Sequence, residues 1–420
     1  MTEPRSPTLT VVIAPDSFKG SLTSVEVAQA LADGWRRARP ADAILLAPLA
    51  DGGEGTLVAI AAAGGWEWRE AAVMDPIGRP IVARWLRSTD RGRAVVELAA
   101  ASGLSRLTAD ERDPLGATTL GTGELIRAAL DEGIRSITLG IGGSATNDGG
   151  VGILRALGAT VTENAVALSG LDPRLAETEL RIACDVTNPL LGPSGAAATY
   201  GPQKGATPDD VAFLDAALGR FADALEAATG RRERHTPGAG AAGGVGFGLL
   251  CVRDRFGSLE LVPGVDVLME QTDLDGKLAR ANLVITGEGR IDAQTAFGKT
   301  ALGVARRAHA HGLPSIAVGG GVTPEGAAAL APLGCIAVAV VERPQSVEEA
   351  MGAGPQPLIR CAERIGRLVG LLTPRPVADR PKHHVPGNDR TVLHPTFDDA
   401  LPELDPDSMH PDDPLREWQP

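Results

Sequence analysis

The sequence has few aromatic residues, few cysteines and no long apolar run. Aromatic residues make up only 3% of the 420 residues, so the cores must be built from alanine, valine, leucine and isoleucine. The 4 cysteines lie far apart without a CxxC pair, which argues against zinc ribbons, thioredoxin-like redox chemistry and a disulfide framework. No segment approaches the ~20 apolar residues of a membrane helix, and residues 11–14 are too short for a signal-peptide core. These absences predict a cytoplasmic protein with reduced thiols.

Basic charge is also scarce. The chain carries 40 Lys and Arg against 53 Asp and Glu, a formal net charge of −13, and no basic run stands out. A nucleic acid or an anionic membrane is attracted by positive charge, so neither is expected as a partner. A mobile anionic ligand needs only a local positive patch and therefore stays compatible with this composition.

Apolar, β-branched runs alternate with helical patterns at both ends of the chain. The predicted strands are residues 9–14, 44–49, 283–286, 315–318 and 336–341, and the predicted helices are 24–38, about 299–311 and 358–372. Thr23 and Glu26 have the spacing of a capping box at the start of the first helix. Strands that alternate with helices predict an α/β fold with a doubly wound parallel sheet and with its loops at one edge.

The same pattern suggests three segments. Residues 1–75 and 281–372 together predict one discontinuous α/β domain, and residues 76–280 predict a second α/β domain inserted into it. Residues 373–420 are rich in proline and acidic residues and are predicted to be a disordered tail. The crevice between two such domains is a natural ligand site.

A glycine-rich segment is the strongest local signal. Residues 139–150 read Leu-Gly-Ile-Gly-Gly-Ser-Ala-Thr-Asn-Asp-Gly-Gly, between a predicted strand and a helix-like run. Glycines there let backbone N–H groups approach a phosphate, and hydroxyl groups add donors. The segment also contains GxGxxA, with Glu163 as the acidic partner that a dinucleotide fold needs, but it lies in mid-chain rather than opening a βαβ domain.

Four acid-bearing loops follow predicted strands. Acids at strand ends that meet in a crevice can hold Mg²⁺, which prefers one or two carboxylates together with phosphate oxygens. Lysine and arginine beside them can neutralise the charge of a transferred phosphoryl group. The loops carry Asp16 and Lys19; Asp51 and Glu54; Asp185; and Glu288, Arg290 and Asp292.

Five of these segments in combination resemble the bacterial glycerate kinases associated with glucarate, galactarate and glyoxylate catabolism. The matching segments are residues 14–23, 50–56, 142–150, 240–248 and 286–292, and the resemblance spans about residues 8–372. It implies ATP-dependent phosphorylation of D-glycerate, usually at the 2-hydroxyl, to 2-phosphoglycerate. It also implies a flavodoxin-like domain made from both chain ends, with an inserted second domain.

Within that resemblance we assign roles as hypotheses. Lys19 would stabilise the transferring phosphoryl group, Asp148 would accept or orient the hydroxyl proton, and Arg290 would hold the glycerate carboxylate, whose geometry suits a bidentate fork. In an alternative, Asp16 is the base and Asp148 binds the metal. Asp16, Ser17, Arg290 and Asp292 would line the substrate site, and Gly142, Gly143, Ser144, Thr146 and Asn147 would hold the ATP phosphates. Asp51, Glu54 and Asp185 would bind Mg²⁺ or its water shell.

Three other functions remain as rivals. The same kinase could give 3-phosphoglycerate, a nicotinamide-dependent hydroxy-acid oxidoreductase would bind NAD(H), and a non-catalytic metabolite-binding protein would bind without turnover. A homodimer is left open by the sequence.

Overall fold

A computed structural model describes residues 8–49, 55–162, 165–296 and 300–372. Asp51, Glu54, Glu163 and the predicted tail lie outside these residues. Within them the strands, in chain order, are β1 (Thr10–Pro15), β2 (Ala43–Leu46), β3 (Trp66–Met74), β4 (Pro80–Ser88), β5 (Arg93–Glu97), β6 (Ser136–Gly140), β7 (Thr160–Val161), β8 (Val166–Ala167), β9 (Glu179–Ala183), β10 (Ser258–Val262), β11 (Leu283–Ile291), β12 (Ser315–Val322) and β13 (Cys335–Ala339).

The α-helices cover both ends and the middle of the chain. In order they are α1 (Ser24–Ala38), α2 (Thr56–Ala63), α3 (Ala99–Ser102), α4 (Leu120–Asp131), α5 (Val151–Ala156), α6 (Ala196–Tyr200), α7 (Pro208–Thr229), α8 (Ala241–Cys251), α9 (Gly264–Gln271), α10 (Leu274–Leu278), α11 (Thr300–Ala310), α12 (Pro324–Leu330), α13 (Val347–Gly352) and α14 (Gln356–Leu372). None of these helices combines the length and the apolar character that a membrane crossing requires.

The first sheet is entirely parallel and draws on both ends of the chain. Its strand order is β13-β12-β11-β1-β2. From β1 the chain steps to β2 on one side, whereas β11, β12 and β13 follow one another on the other side. This is the flavodoxin-like order, in which the direction of winding reverses between the first and third strands, here β1 and β11.

Helices bury both faces of this sheet. Val11 and Ile13 belong to a core with α1 and α14, whereas Val12 and Ala14 belong to a core with α9, α10 and α11. Side chains alternate across a strand, so a strand that is covered on both faces is apolar throughout. That is why the short runs at both chain ends were recognisable in the sequence.

The second sheet is formed by the middle of the chain. Its order is β10-β9-β6-β5-β4-β3, with β5, β6, β9 and β10 parallel and β3 and β4 antiparallel at one edge. The described residues thus form two large sheets and a two-stranded sheet of β7 and β8, and the predicted α/β class with a doubly wound parallel sheet is confirmed. The domain limits at 75/76 and 280/281 stay predictions, although β3, placed before the first limit, pairs in the second sheet.

Two local expectations have different outcomes. The capping box is present: Thr23 Oγ1 accepts from the Glu26 amide, and the Glu26 carboxylate accepts from the Thr23 amide. The expected loop after residue 286 is wrong, because β11 continues to Ile291 and pairs with β12 as far as Val322. Glu288 and Arg290 therefore lie on a strand, and alternation places them on the same face.

Candidate active site

The crevice between β1 and β11 lies where the winding of the first sheet reverses. In open parallel sheets, ligands bind outside the carboxyl ends of the strands at such a point. The Asp16 amide donates to the Gly287 carbonyl at 2.8 Å, which joins the segment after β1 to the end of β11. Two of the predicted acid-bearing segments therefore meet at this edge, one carrying Asp16 and the other Glu288.

Three carboxylates and a lysine share this crevice. Burial raises the pKa of Glu288, the nearby charges of Asp16 and Asp292 raise it further, and Lys19 acts in the opposite direction. The Thr295 hydroxyl donates to Glu288 Oε1 at 2.8 Å and holds the side chain in place. The structure thus brings together Asp16, Lys19 and Asp292, three of the residues that the sequence singled out.

Replacing Glu288 by glutamine is expected to raise Tm at pH 7.5. A carboxyl group whose pKa is raised by folding costs stability once the pH exceeds its value in the unfolded chain. Glutamine removes that charge and can still accept from Thr295, so the gain in Tm should shrink as the pH falls and Glu288 becomes protonated. The matched control is Glu342→Gln, which loses ion pairs with Arg360 and Arg364 and should lower Tm. A lower Tm for Glu288→Gln at pH 7.5 would contradict this account.

A tight turn presents Lys19 to the crevice. The Phe18 amide donates to the Leu22 carbonyl at 2.8 Å, while the Phe18 ring is packed into the core beside α1. Lys19 and Gly20 occupy the exposed tip of the turn. The buried ring of Phe18 anchors the turn, and Lys19 next to it is an exposed residue.

Arg290 points its guanidinium group toward solvent. Its side chain is 72% exposed, and its Nε lies 3.0 Å from Asp292 Oδ2. The contact with Asp292 orients the group, and the outer N–H donors suit a planar carboxylate of a ligand. Ser17 stands next to Asp16, whose Oδ1 accepts from the Ser17 amide at 2.6 Å.

The second sheet contributes the segment Gly142–Gly150, which we call the glycine loop. The loop follows β6 and is held by two backbone hydrogen bonds. The Ala145 N–H donates to the Ser102 carbonyl at 3.0 Å, and the Leu104 N–H donates to the Gly143 carbonyl at 2.9 Å. Among the described residues, no acceptor is found for the amide N–H groups of Gly142, Gly143 and Asn147. The loop therefore keeps backbone donors that an anion can use.

The polar side chains of the glycine loop point inward. Ser144 and Asn147 are buried, and Thr146 is 0% exposed with an Oγ1 that has no hydrogen-bond partner in the described structure. The predicted use of side-chain hydroxyls as additional phosphate donors is therefore not favoured by this geometry. The backbone N–H groups, above all those of the accessible Gly142 and Gly143, are the better candidates.

The carboxylate of Asp148 accepts hydrogen bonds from neighbouring segments of the fold. Its Oδ2 accepts from the Thr119 amide and hydroxyl, both at 2.9 Å, and from the Gly152 amide at 3.0 Å, while Oδ1 accepts from the Gly150 amide at 3.1 Å. These bonds join the starts of α4 and α5. A carboxylate that already accepts four hydrogen bonds has its acceptor sites filled, which favours a structural role for Asp148 and the alternative assignment of Asp16 as the base.

Residues 49–56 connect the carboxyl edges of the two sheets. The Leu49 amide donates to the Pro15 carbonyl at the end of β1, and the Thr56 amide donates to Glu97 Oε1 at the end of β5. Seven peptide units span at most about 25 Å, so the two edges lie within that distance. Asp51 and Glu54 fall between these anchors, outside the described residues.

The predicted magnesium ligands are only partly within the described structure. Asp185 follows β9, and its Oδ1 accepts from the Gly264 amide at 3.1 Å. Across residues 8–49, 55–162, 165–296 and 300–372, no group of three or more His, Cys, Asp and Glu side chains is arranged to hold a metal ion. A carboxylate such as Asp185 still suits Mg²⁺, because that ion often takes only one or two protein ligands and completes its shell with phosphate oxygens and water.

Among the buried charged residues, two that lie beside the candidate site were not anticipated. Glu97 ends β5 and is 7% exposed, and Lys204 lies beneath the glycine loop and is 1% exposed. A charge directly after the apolar run Ala94-Val95-Val96 is a detectable signal for Glu97. Lys204 stands between Pro202 and Gly205, where no periodicity indicates burial.

Ala242 has a strained backbone conformation, and Gly243 after it packs against the glycine loop. Its φ of 53° and ψ of 40° are left-handed, and Gly243 and Gly244 follow it with positive φ values. An L-residue pays roughly 1–2 kcal/mol for that conformation, so Ala242→Gly should raise the free energy of unfolding by about 1 kcal/mol in urea denaturation. Ala241→Gly, at a right-handed position next to it, should lower the free energy. Equal losses for both variants would contradict the assignment of strain to Ala242.

Comparison with known proteins identifies the family. The model of the glycerate kinase family matches residues 11–370. A glycerate kinase of Halalkalibacterium halodurans is 43% identical over 85% of this chain and 97% of its own length. The glycerate 2-kinase of Escherichia coli K12 is 44% identical over 75% of this chain and 86% of its own length. A crystal structure described as glycerate kinase 2 from Salmonella typhimurium LT2 superposes with a TM-score of 0.75 at 39% identity, over 87% of this chain and 99% of that one. The fold matches that of a glycerate kinase, and this chain aligns with 97% and 86% of the length of the two relatives. The chain therefore belongs to the glycerate kinase family and is an ATP-dependent kinase.

Proposed function

We propose that this kinase transfers the γ-phosphoryl group of ATP to the 2-hydroxyl of D-glycerate and gives 2-phosphoglycerate. The observation that carries the proposal is the meeting of Asp16, Lys19 and Glu288 at the switch point, with Arg290 on the same strand face as Glu288. The Escherichia coli relative is named as a glycerate 2-kinase, which supports the 2-position.

Arg290 acts on the glycerate carboxylate, and Lys19 acts on the transferring phosphoryl group. The guanidinium group of Arg290 holds the glycerate carboxylate, since a fork of N–H donors matches two carboxylate oxygens. Lys19 lies close to the oxygens of the transferring phosphoryl group and stabilises their charge. Asp292 orients Arg290, and the Ser17 hydroxyl is available to a glycerate hydroxyl.

Asp16 orients the 2-hydroxyl and receives its proton. The glycerate oxygen forms a bond to the γ-phosphorus while the bond from that phosphorus to the β–γ bridging oxygen breaks, and ADP leaves. In-line transfer of this kind depends mainly on positioning and on charge stabilisation. Asp148 is a less suitable acceptor, because four donors already bind its carboxylate.

The glycine loop and a magnesium ion would bind the nucleotide phosphates. The amide N–H groups of Gly142, Gly143 and Asn147 are the donors for phosphate oxygens. Asp185, with Asp51 and Glu54 as further candidates, would hold Mg²⁺ or its water shell. The ion would neutralise phosphate charge when bound.

Phosphorus NMR tests the reaction and its regiochemistry together. Purified protein is incubated with Mg-ATP and D-glycerate without coupling enzymes, and the product signals are recorded. A 2-phosphoglycerate signal is expected. A 3-phosphoglycerate signal would require glycerate to be reversed in the site, and unchanged ATP with folded protein would contradict the proposed reaction.

A further inference from the structure

Lys204 is buried directly beneath the glycine loop. A short 3-10 turn, Pro202–Lys204, ends at Gly205, whose φ of 98° lets the chain reverse there. The Lys204 ammonium group donates to the Thr146 carbonyl at 2.5 Å and lies 3.5 Å from Asn147 Oδ1. Only 1% of the residue is exposed.

This ammonium group has poor compensation for its burial. Its hydrogen-bond partners are two neutral oxygens, and no ion pair with the nearby Asp148 is found among the described residues. Burial lowers the pKa of Lys204 to about 7, with the Asp148 charge acting against that change. A buried charge of this kind costs stability, so its presence needs a reason in the loop that it contacts.

Lys277 is a buried lysine of the same chain whose three N–H donors all have hydrogen-bond acceptors. Its ammonium group donates to the carbonyls of Leu46 and Ala63 at 2.9 Å and of Thr272 at 2.5 Å. Three acceptors match its three donors. Lys277 ties together the ends of β2, α2 and α9, and none of these three bonds involves the glycine loop.

The bond to Thr146 fixes the direction of one phosphate donor. The peptide unit between Thr146 and Asn147 is planar and trans, so its N–H points away from its C=O. Because Lys204 holds that carbonyl, the Asn147 N–H is directed away from Lys204, and it has no acceptor in the described part of the chain.

We propose that Lys204 is a positioning residue for ATP, which fixes the Thr146–Asn147 peptide so that its N–H binds a phosphate oxygen. The inference rests on the proposed function of the glycine loop as the phosphate-binding segment. Lys204 does not touch the nucleotide and acts through the backbone.

The test compares Lys204→Met with the control Lys277→Met. Each variant is assayed for KM of ATP, KM of D-glycerate, kcat and Tm, and Mg-ADP binding is measured by calorimetry. Lys204→Met should raise the KM of ATP and the Kd of Mg-ADP by about tenfold or more, because the Asn147 N–H would lose its hydrogen bond to a charged phosphate. The KM of D-glycerate should stay within about twofold. Lys277→Met should lower Tm with the KM of ATP unchanged. Should Lys204→Met fail to fold, Lys204→Gln is compared with the parent enzyme and should raise the KM of ATP while the KM of D-glycerate stays within about twofold. An unchanged KM of ATP for Lys204→Gln would then overturn the role of Lys204.

Gly143→Asp separates this inference from the function on which it rests. Gly143 is exposed with a φ of 72°, a conformation that Asp tolerates better than most residues, and the new carboxylate would repel phosphate. If Gly143→Asp weakens Mg-ADP binding and Lys204→Met does not, the role of Lys204 is overturned while the loop keeps its function. If neither variant changes nucleotide binding, the loop is not the phosphate site and both assignments fall.

Discussion

Replacing Lys19 by alanine is expected to lower kcat by about 10²–10³-fold, the usual loss when one preorganised donor to a developing charge is removed. Lys19 lies at the exposed tip of its turn, and Phe18 supplies the packing that holds the turn in place. The fold should therefore survive, and Tm should change little. Steady-state kinetics together with thermal melts measure both quantities on one preparation.

The control for Lys19 is Ser21→Ala on the same turn. The Ser21 hydroxyl donates to the Met351 carbonyl at 3.1 Å, so its loss perturbs the turn without removing a charge. We expect kcat for Ser21→Ala to stay within a few-fold of the parent enzyme. A similarly small change for Lys19→Ala would show that Lys19 does not stabilise the transferring phosphoryl group.

Gly243→Ala is expected to reduce the free energy of unfolding by roughly 2–5 kcal/mol, from a left-handed backbone and from overpacking together. Gly243 has a φ of 69°, and a Cβ there would lie 1.9 Å from the Thr146 carbonyl oxygen and 2.7 Å from Asn147 Cα. These neighbours are backbone atoms, so a side-chain rotation cannot relieve the contact. Because the contact falls on the carbonyl that Lys204 binds, the variant should also raise the KM of ATP.

Gly312→Ala is a closely matched control for this variant. Gly312 has the same φ of 69°, and nothing lies within 4 Å of the position that its Cβ would take. Its cost should be only that of the left-handed conformation, about 1 kcal/mol. Urea denaturation gives the free energy of unfolding of both variants. The difference between their losses is the cost of the contact between the new Cβ and the backbone at Thr146 and Asn147. Equal losses would mean that the glycine loop relaxes around the new methyl group and is not held rigidly by the 243 segment.

The architecture of the first sheet was predictable because its strands are buried on both faces. Runs such as Val11–Ala14 are then apolar throughout and stand out from the polar loops after them. Glu288 and Arg290 were placed in a loop because charges and glycines interrupt that pattern. They remain on β11 because pairing with β12 needs only backbone groups, which the sequence of side chains does not reveal.

The sequence predicted the segments of the candidate site more specifically than the roles of their residues. Asp16 and Lys19 follow a strand, and the rule for parallel sheets brings such residues to one edge. The saturation of Asp148 by four donors depends on where α4 begins relative to α5, a contact between segments about 30 residues apart. The burial of Lys204 likewise depends on how a turn packs under the glycine loop. Neither contact produces a periodic pattern in the sequence from which it could be predicted.

The position of D-glycerate in a crystal structure with Mg²⁺ and a non-hydrolysable ATP analogue tests the central claim most directly. We expect the 2-hydroxyl oxygen within hydrogen-bond distance of the Asp16 carboxylate, the glycerate carboxylate on Arg290, and the analogue phosphates on the amides of Gly142 and Gly143. Glycerate bound against Asp148, with Asp16 and Lys19 remote from both ligands, would contradict the assignment of phosphoryl transfer to the switch point.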